Sequence, residues 1–386
     1  MRPQSLFLPL LLLIWTTTTV AAPRIIPTAP SVAAKSYILM DADSGHIITQ
    51  GNSDAPLAPA SLTKIMTSYA IFSELKQGNI TMEDKVTISE KAWRMGGSKM
   101  FIEVGDKISV DDLLNGMVIS SGNDASVALA EHIGGAEETF AQLMNQYAEI
   151  LGMKNTQFKN STGMPAEDHY TSAYDMALLS QALIRDFPEL YPLYAEKEFT
   201  FGKDPRSGKP IKQKNRNKLL WRDESVDGLK TGYTEAAGYC LVASAQREGM
   251  RLISVVMGTK GTEARAQETQ KLLNFGFRFY ETATLATPTQ PLQQAKVWKG
   301  AADQLNIGVE TPLTVTLGRN QFKALQSELT LNSETLEAPI AAGTPLGTVT
   351  YTLDGKPVVQ APVVALESVE EGGLFKSLKD SVLMQF

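Results

Sequence analysis

The sequence predicts an α+β fold, in which an antiparallel sheet covered by helices is followed by a small all-β domain and an amphipathic C-terminal helix. Three observations lead to this prediction. Strand-like segments lie near the start and again after residue 226, with helical periodicity between them. Strict alternation replaces that periodicity after residue 287, and the last 13 residues are helix-like again. Strands at both ends of a helical middle are typical of one antiparallel sheet covered by helices.

The first 22 residues have the features of an export signal. Arg2 precedes a short apolar run over residues 6–15, and Ala21 and Ala22 are small residues that suit a signal peptidase. The run is about half of the roughly 20 residues that a spanning helix needs. We therefore expect residues 1–22 to be a cleaved signal peptide.

Composition limits the classes of function. The 386 residues include 42 acidic and 36 basic side chains, and this acidic excess, without an identified basic tract, argues against a nucleic-acid partner. A chain with one cysteine, Cys240, has no internal disulfide, and we expect a buried, inert thiol. His46, His132 and His169 have no ligand spacing, so we expect no metal site.

A hairpin and a helix are predicted first. Residues 36–40 and 46–49 are strand-like and flank a turn at residues 43–45. Around Ser61, apolar residues recur at spacings of three and four, which indicates a helix. Helical periodicity then dominates to about residue 190.

Sheet character returns in the second half of the first domain. Residues 238–245 and 250–257 are apolar runs joined by a turn at 247–249. A helix over residues 263–279 follows them. We place the first domain at residues 23–284.

Residues 285–368 are predicted to form the all-β domain. Residues 313–317 alternate strictly, and residues 349–353 lead into Asp354-Gly355, a strong hairpin signal. No apolar period of helical length interrupts this region.

Residues 369–386 are predicted to form an amphipathic, membrane-anchoring helix. When the residues are placed around a helix at about 100° per residue, five apolar side chains lie within an arc of roughly 120°. These are Leu374, Phe375, Leu378, Val382 and Phe386. The segment is too short to span a bilayer but long enough to lie in its interface. The alternative is a terminal helix docked on the protein's own core.

Three short motifs contain the groups of one hydrolytic reaction. They are Ser61-Leu62-Thr63-Lys64, Ser121-Gly122-Asn123 and Lys230-Thr231-Gly232. Serine is a poor nucleophile until a base removes its proton. Ser61 and Lys64, at i and i+3 of a helix, share a face. Lysine acts as a base only when burial or a second cation, here Lys230, destabilises its ammonium form. Ser73 and Lys76 also fit the first pattern, and we expect them at the surface.

The second motif supplies a proton relay and an amide. Ser121 would pass a proton to the leaving group, and Asn123 would bridge the substrate backbone and Lys64. Residues 121–124 also fit a helix N-cap after a turn. The two interpretations are compatible.

The third motif supplies a binding site. Lys230 and Thr231 would bind a carboxylate. Gly232 would leave room for a substrate backbone to pair along a strand edge. The alternative for this motif is an exposed turn.

The motifs and their surroundings resemble a known family. Residues 59–64, 120–125, 215–217 and 226–232 look like segments of the low-molecular-mass D-alanyl-D-alanine carboxypeptidases, peptidase S11-like penicillin-binding proteins of the Gram-negative periplasm. The resemblance covers essentially the whole mature chain. It implies a β-lactamase/transpeptidase-like catalytic domain and a reaction without a cofactor.

The resemblance implies an enzyme that removes the terminal D-alanine from peptidoglycan stem pentapeptides. Ser61 would attack the bond between the two D-alanines, and β-lactam antibiotics would acylate the same serine. Lys64 would be the base, Ser121 would shuttle protons and Asn123 would position the substrate. Water would then hydrolyse the acyl-enzyme.

Further site residues are implied around the scissile bond. The substrate-binding residues carried over from the family are Asn123, Arg216, Lys230, Thr231, Gly232, Tyr233 and Arg265. The backbone amides of Ser61 and Tyr233 would form the oxyanion hole. Arg265 would join Lys230 at the terminal carboxylate, and Arg216 would shape the cleft. The alternative for Arg265 is an ordinary solvated helix arginine.

The implied location is the periplasm, with peripheral attachment to the outer face of the inner membrane through the C-terminal helix. The implied partners are stem peptides, β-lactams and the membrane surface, and a homodimer is left open. Alternative functions are a β-lactamase-like hydrolase, a DD-endopeptidase or a non-catalytic cell-wall scaffold. A β-lactamase needs a fast deacylation base, and we find no Glu-x-x-Leu-Asn segment between the second and third motifs.

Overall fold

The computed structural model describes residues 26–203 and 206–384, so the predicted signal peptide, residues 1–22, and Phe386 of the apolar arc lie outside the described residues. The strands of the first part are β1 (Ser36–Asp41), β2 (Ile47–Gly51), β3 (Lys85–Thr87), β4 (Lys107–Ser109), β5 (Glu198–Lys203), β6 (Pro210–Lys214), β7 (Val226–Thr234), β8 (Gly238–Arg247) and β9 (Met250–Thr259). Its helices are α1 (Lys64–Gln77), α2 (Glu90–Arg94), α3 (Val110–Val118), α4 (Asn123–Gly134), α5 (Glu137–Ile150), α6 (Ala173–Asp186), α7 (Leu219–Arg222) and α8 (Thr262–Phe279).

The central element is a five-stranded antiparallel sheet with the order β2-β1-β9-β8-β7. Successive residues of one strand face opposite layers of helices. Val242, for example, packs in the core that contains α1 and α3 to α6, whereas the neighbouring Leu241 packs with α8. Burial on both faces explains why these strands read as continuous apolar runs. The predicted α+β arrangement is confirmed.

Ser61 lies just before α1 rather than within it, which corrects the predicted helical position. A 3-10 turn over Ala60–Thr63 carries the serine, and α1 begins at Lys64. Residues i and i+3 are eclipsed in a 3-10 turn, so Ser61 and Lys64 still share a face. At the far end of α1, Lys76 is exposed as expected, but Ser73 is buried, contrary to the prediction.

Helix α4 begins at Asn123, which confirms the helix N-cap predicted within residues 121–124. The N-cap residue is Gly122, which has no side chain to accept a hydrogen bond. Ser121 has a φ of +61°, in the left-handed region that non-glycine residues rarely adopt. The Asp124 carboxylate instead accepts the backbone amides of Met100 (2.8 Å) and Phe101 (2.9 Å). This carboxylate fixes the loop over residues 96–101.

The second part is an all-β domain, as predicted. Its elements are β10 (Tyr280–Ala286), β11 (Gln293–Trp298), β12 (Gln304–Gly308), β13 (Leu313–Gly318), β14 (Gln326–Leu331), β15 (Leu336–Glu337), β16 (Pro345–Leu353) and β17 (Lys356–Ala365). Six strands form a sheet with the order β14-β16-β17-β12-β11-β15, and β10 pairs with β13. The predicted hairpin at residues 354–355 joins β16 to β17. Strand β10 spans the expected limit at residue 284. The exact domain limits remain a prediction.

Hydroxyl groups connect the two parts. Thr282 Oγ1 donates to Asp41 Oδ2 at 2.7 Å, and Thr316 Oγ1 lies 2.6 Å from Ser44 Oγ. The Asp41 carboxylate is fully buried and also accepts the Ser44 amide. Because buried polar groups are costly to leave unpaired, this network holds the β domain against the first sheet.

The C-terminal helix α9 (Leu374–Leu383) turns its polar side toward the protein. Asp380 is buried, and its Oδ2 accepts the amide of Lys299 at 2.8 Å. The apolar residues Leu374 and Phe375 are 84% and 93% exposed. Among the described residues, no helix combines the length and apolar content needed to cross a bilayer.

Candidate active site

The first motif brings a serine hydroxyl and a lysine amine together. Lys64 Nζ lies 3.3 Å from Ser61 Oγ and donates to two carbonyl oxygens, Asn123 Oδ1 at 2.7 Å and the Thr162 oxygen at 2.8 Å. These carbonyl oxygens can only accept hydrogen bonds. A neutral amine has two N–H groups and one lone pair. The two carbonyls engage both N–H groups, which leaves the lone pair for the hydroxyl of Ser61.

The environment of Lys64 favours this neutral form. The side chain is fully buried, and burial lowers its pKa to about 7. The positive charge of Arg216 acts in the same direction. The sequence predicted Lys230 as the second cation near Lys64; the two lysine charges do interact, and Arg216 adds to this effect. A pKa lowered to this range suits a general base at neutral pH.

A second hydroxyl–amine pair lies in the same cleft. Lys230 Nζ is 3.0 Å from Ser121 Oγ and donates to the backbone oxygen of Thr231 at 3.2 Å. Burial holds the pKa of Lys230 well below its usual range, and the charges of Lys64, Arg216 and Arg265 lower it further. The structure thus brings Ser121 next to Lys230, whereas it brings Asn123 next to Lys64.

Gly232 lies close to the turn that carries Ser61, a contact that the sequence did not predict, and its predicted role at the strand edge stays a prediction. It lies on β7, at the end of the five-stranded order, where the outer edge has no neighbouring strand in the described part of the sheet. A Cβ atom at this position would lie 3.1 Å from the oxygen of Pro59 and 3.2 Å from Cβ of Ala60. The missing side chain therefore lets β7 approach the turn that carries Ser61.

The turn that carries Ser61 is also held from the opposite direction. Gly163 has a φ of +84°, and a Cβ there would lie 1.7 Å from the backbone oxygen of Ala60. Ala60 itself has a φ of +49°. Left-handed backbone at a non-glycine residue costs free energy and persists only where surrounding contacts enforce it. Gly163 and Gly232 allow two distant segments to pack closely against this turn.

Arg265 is buried, so the alternative of a solvated helix arginine is wrong. Its Nη1 donates to the backbone oxygens of Gly232 (3.1 Å) and Cys240 (3.3 Å). Burial lowers its pKa to about 10, and the guanidinium therefore stays charged at neutral pH. The guanidinium carbon lies 5.8 Å from the centre of the Tyr239 ring, on which the exposed ring of Tyr233 stacks.

These groups surround a cleft of about 410 Å³. Eight of the predicted site residues line it: Ser61, Ser121, Asn123, Arg216, Thr231, Gly232, Tyr233 and Arg265. The remaining two, Lys64 and Lys230, are buried and contact the lining serines. The structure therefore brings all ten predicted residues to one place.

Several residues of the cleft were missed. Ser98 accepts a hydrogen bond from Arg216 Nη1 at 2.7 Å, and the Thr162 carbonyl binds Lys64. Asn160 holds that carbonyl's loop, since its Oδ1 accepts the amides of Thr162 and Gly163. The Asn-Ser-Thr-Gly composition of residues 160–163 is a turn signal. The composition of this turn did not indicate that its backbone contacts Lys64 of the first motif.

The remaining cysteine and histidines lie outside the reacting groups. Cys240 is buried, and burial raises the pKa of its thiol to about 11. His169 is also buried, and its Nε2 lies 3.1 Å from Thr63 Oγ1. Within residues 26–203 and 206–384, no cluster of three or more His, Cys, Asp or Glu side chains could hold a metal ion.

Comparisons with known proteins agree with this geometry. The family model described as D-alanyl-D-alanine carboxypeptidase matches residues 23–261, and that of the penicillin-binding protein 5 C-terminal domain matches residues 280–371. The Escherichia coli K12 protein named D-alanyl-D-alanine carboxypeptidase DacC is 46% identical over 365 residues, covering 93% of this chain and 90% of the relative. DacA of the same strain is 43% identical, with coverages of 94% and 90%.

A solved structure gives the same result. Penicillin-binding protein 5 from Haemophilus influenzae superimposes with a TM-score of 0.83 at 42% identity, and the match covers 89% of this chain and 100% of that one. The fold, the order of the motifs and the identity over most of the length all agree. The chain therefore belongs to the D-alanyl-D-alanine carboxypeptidases of the S11 peptidase family, which are serine-type, penicillin-binding enzymes, as its motifs predicted.

Proposed function

We propose that this chain removes the terminal D-alanine of peptidoglycan stem pentapeptides with Ser61 as the nucleophile and Lys64 as its base. One observation carries the assignment of roles. Lys64 Nζ lies 3.3 Å from Ser61 Oγ, and two carbonyl oxygens accept its other hydrogen bonds, so in the neutral amine the lone pair would be left for Ser61. The low pKa of the buried amine supports the same assignment.

The acylation step follows from this arrangement. Ser61 Oγ bonds to the carbonyl carbon of the penultimate D-alanine while its proton passes to Lys64 Nζ. The backbone amides of Ser61 and Tyr233 donate to the resulting oxyanion, and one such donor is worth about 3 kcal/mol. The C–N bond then breaks. An acyl-enzyme and free D-alanine are the products.

The second pair serves the leaving group. Ser121 hydrogen-bonds Lys230 at 3.0 Å, so its hydroxyl can give a proton to the departing nitrogen and recover one from the lysine pair. Water then attacks the ester, and Lys64 again takes the proton. Asn123 keeps Lys64 in place through its Oδ1 and holds the substrate backbone.

The terminal carboxylate would bind between Thr231, Lys230 and Arg265. Arg265 remains charged at neutral pH, and an approaching carboxylate would raise the pKa of Lys230 again, because opposite charges favour the ionised forms. Arg216, held by Ser98, would close the cleft beside it. A β-lactam carries a carboxylate and a reactive carbonyl, so it would acylate Ser61 in the same position.

The central test is D-alanine release from diacyl-L-Lys-D-Ala-D-Ala by the purified protein and by Ser61→Ala. We expect release by the parent and a loss of roughly 10⁴-fold or more in the variant. Ser73→Ala, in the duplicate pattern, is the matched control and keeps activity. Equal activity of parent and Ser61→Ala would refute the assignment. An unchanged cellular phenotype in Ser61→Ala would favour the non-catalytic scaffold. Rapid loss of a penicilloyl adduct would favour a β-lactamase. Cleavage of cross-linked stem peptides would favour a DD-endopeptidase.

We also propose export by residues 1–22, a periplasmic location and peripheral attachment through residues 369–386. The exposed apolar side of α9, with Leu374 and Phe375, supports the attachment, because exposed apolar surface of this extent favours the membrane interface. The domain limits 23–284 and 285–368 belong to the same proposal. A homodimer stays a candidate arrangement, which sedimentation of the exported protein would test.

Deleting residues 369–386 should move the protein from the membrane fraction to the soluble fraction. The activity on a short soluble peptide should persist, since the cleft lies in the other domain. The double variant Phe375→Ser/Leu378→Ser should act in the same direction, with Ser381→Ala as the control on the same helix. Retention of the truncated protein in membranes would refute the anchor.

A further inference from the structure

A basic hairpin projects beside the cleft of this acidic protein. We define the basic hairpin as β5, β6 and the described residues 206–209 between them. Residues 198–214 of the sequence contain five basic and two acidic side chains, in a chain whose formal net charge is −6. This concentration corrects the sequence analysis, which identified no basic tract.

The two faces of the basic hairpin differ in character. The rings of Phe199 and Phe201 stack with centroids 6.1 Å apart and pack against the main core. In the register of the hairpin, Glu198 faces Lys214 and Thr200 faces Lys212, so the lysines lie on the opposite face. The apolar face therefore fixes the hairpin, and the lysine face is turned to solvent.

The positive charge of the lysine face is only partly neutralised. Glu198 pairs with both Lys212 and Lys214. Lys203 and Lys209 are exposed and form no ion pair with any residue that the structure describes. Residues 198–214 have five basic and two acidic side chains in the sequence, so the hairpin keeps a net positive charge.

Two contacts attach the basic hairpin to the rim of the cleft. Gln213 Nε2 donates to the backbone oxygen of Lys99 at 3.1 Å, next to the cleft residue Ser98. Strand β6 also continues directly into Arg216, whose guanidinium binds Ser98 and lines the cleft. The lysine face is therefore continuous with the arginine at the entrance.

We propose that the basic hairpin is an electrostatic guide that draws carboxylate-rich stem peptides of the cell wall toward the cleft. The inference rests on the proposed function. A net negative protein repels an anionic substrate at long range, and a local positive surface at the entrance reverses that field. A lipid surface is the less suitable partner, because the hairpin is tied to the cleft walls and α9 lies on the other domain.

The test compares two synthetic pentapeptides ending in Lys-D-Ala-D-Ala that differ only in Glu or Gln at the second position. The variant is Lys203→Gln/Lys209→Gln/Lys214→Gln. At about 20 mM salt, we expect its kcat/KM to fall about three- to tenfold for the Glu peptide and less than twofold for the Gln peptide. At about 0.5 M salt the difference should vanish, since the Debye length is then only a few Å.

A matched control replaces three exposed lysines on other elements, Lys85→Gln/Lys107→Gln/Lys154→Gln, and should leave both values within twofold of the parent. Labelling by fluorescent penicillin verifies that every variant is folded. Equal losses for both peptides, or a loss that persists at high salt, would overturn the inference. So would unchanged kinetics together with weaker binding to vesicles of anionic phospholipid, which would assign the hairpin to a lipid surface. If the parent releases D-alanine from neither peptide, the proposed function itself fails.

Discussion

The Ser-x-x-Lys pattern occurs twice around helix α1. Ser61 lies in the turn just before the helix and Lys64 is its first residue, whereas Ser73 and Lys76 lie near its end. Residue types and spacing are the same in both places. The two pairs differ in what surrounds the lysine, so they separate the contribution of the pattern from that of its environment.

Lys64 is fully buried and has two carbonyl acceptors, which stabilise its neutral form. Lys76 is exposed, donates to the backbone oxygen of Asp186 at 3.0 Å and lies 5.6 Å from the centre of the Phe187 ring. Burial and two carbonyl acceptors therefore distinguish Lys64 from the exposed Lys76. The comparison teaches that burial and fixed acceptors, more than spacing, make a lysine a base.

The largest expected effect separates the two lysines directly. Lys64→Met should slow penicillin acylation and D-alanine release by about 10²- to 10⁴-fold, because a general base contributes this much. Lys76→Met should stay within twofold of the parent. Stopped-flow acylation rates measure both. Comparable losses in the two variants would show that the pattern itself, rather than its environment, matters.

A smaller effect is expected on the pH profile. Because Lys64 must be neutral and its pKa is about 7, the acylation rate of the parent should fall about tenfold per pH unit below pH 7. Asn123→Asp places a carboxylate where the amide oxygen now lies, 2.7 Å from Nζ. An opposite charge raises a lysine pKa, so the midpoint should move up by about 1 to 3 pH units.

The matched control for this shift is Asn79→Asp, an exposed position just after α1. Its midpoint should equal that of the parent. Penicillin acylation rates between pH 5 and 10 measure all three profiles. An unmoved midpoint in Asn123→Asp would mean that Lys64 is not the group that titrates.

The smallest effect concerns stability, and its sign should differ between the two lysines. Lys76→Met removes one exposed hydrogen bond and a ring contact, so the free energy of unfolding should fall by about 0.5 to 1 kcal/mol. Lys64→Met replaces a buried amine by an apolar chain of similar size, and should not lower it, because burying an amine is costly. Urea denaturation measures both. A greater loss in Lys64→Met would indicate that its hydrogen bonds hold the fold together.

Much of the architecture could be predicted, because buried faces of helices and strands require apolar residues at regular positions in the sequence. The runs at residues 238–245 and 250–257 became β8 and β9, and Asp354-Gly355 became the turn of a hairpin. The motifs were recognisable because their side chains carry the chemistry. The fold then brought them to one cleft, as the family resemblance implied.

What escaped prediction was mostly backbone. The carbonyl of Thr162 that binds Lys64 could belong to any residue type, so it leaves no mark in the sequence. The N-cap was predicted within residues 121–124, but not the left-handed φ of Ser121 just before the cap residue Gly122. The basic hairpin was missed for another reason. Its lysines are spread over two strands, and pairing of those strands gathers them on one face.

The two glycines that hold the nucleophile have a consequence for drug resistance. Gly163 and Gly232 leave no space between their backbones and the segment that precedes Ser61. Added bulk at either position would shift the serine away from its amine, and the natural reaction would be lost along with sensitivity to the antibiotic. Escape mutations that preserve wall trimming must therefore arise elsewhere on the cleft wall, among residues that contact the drug but do not support the serine.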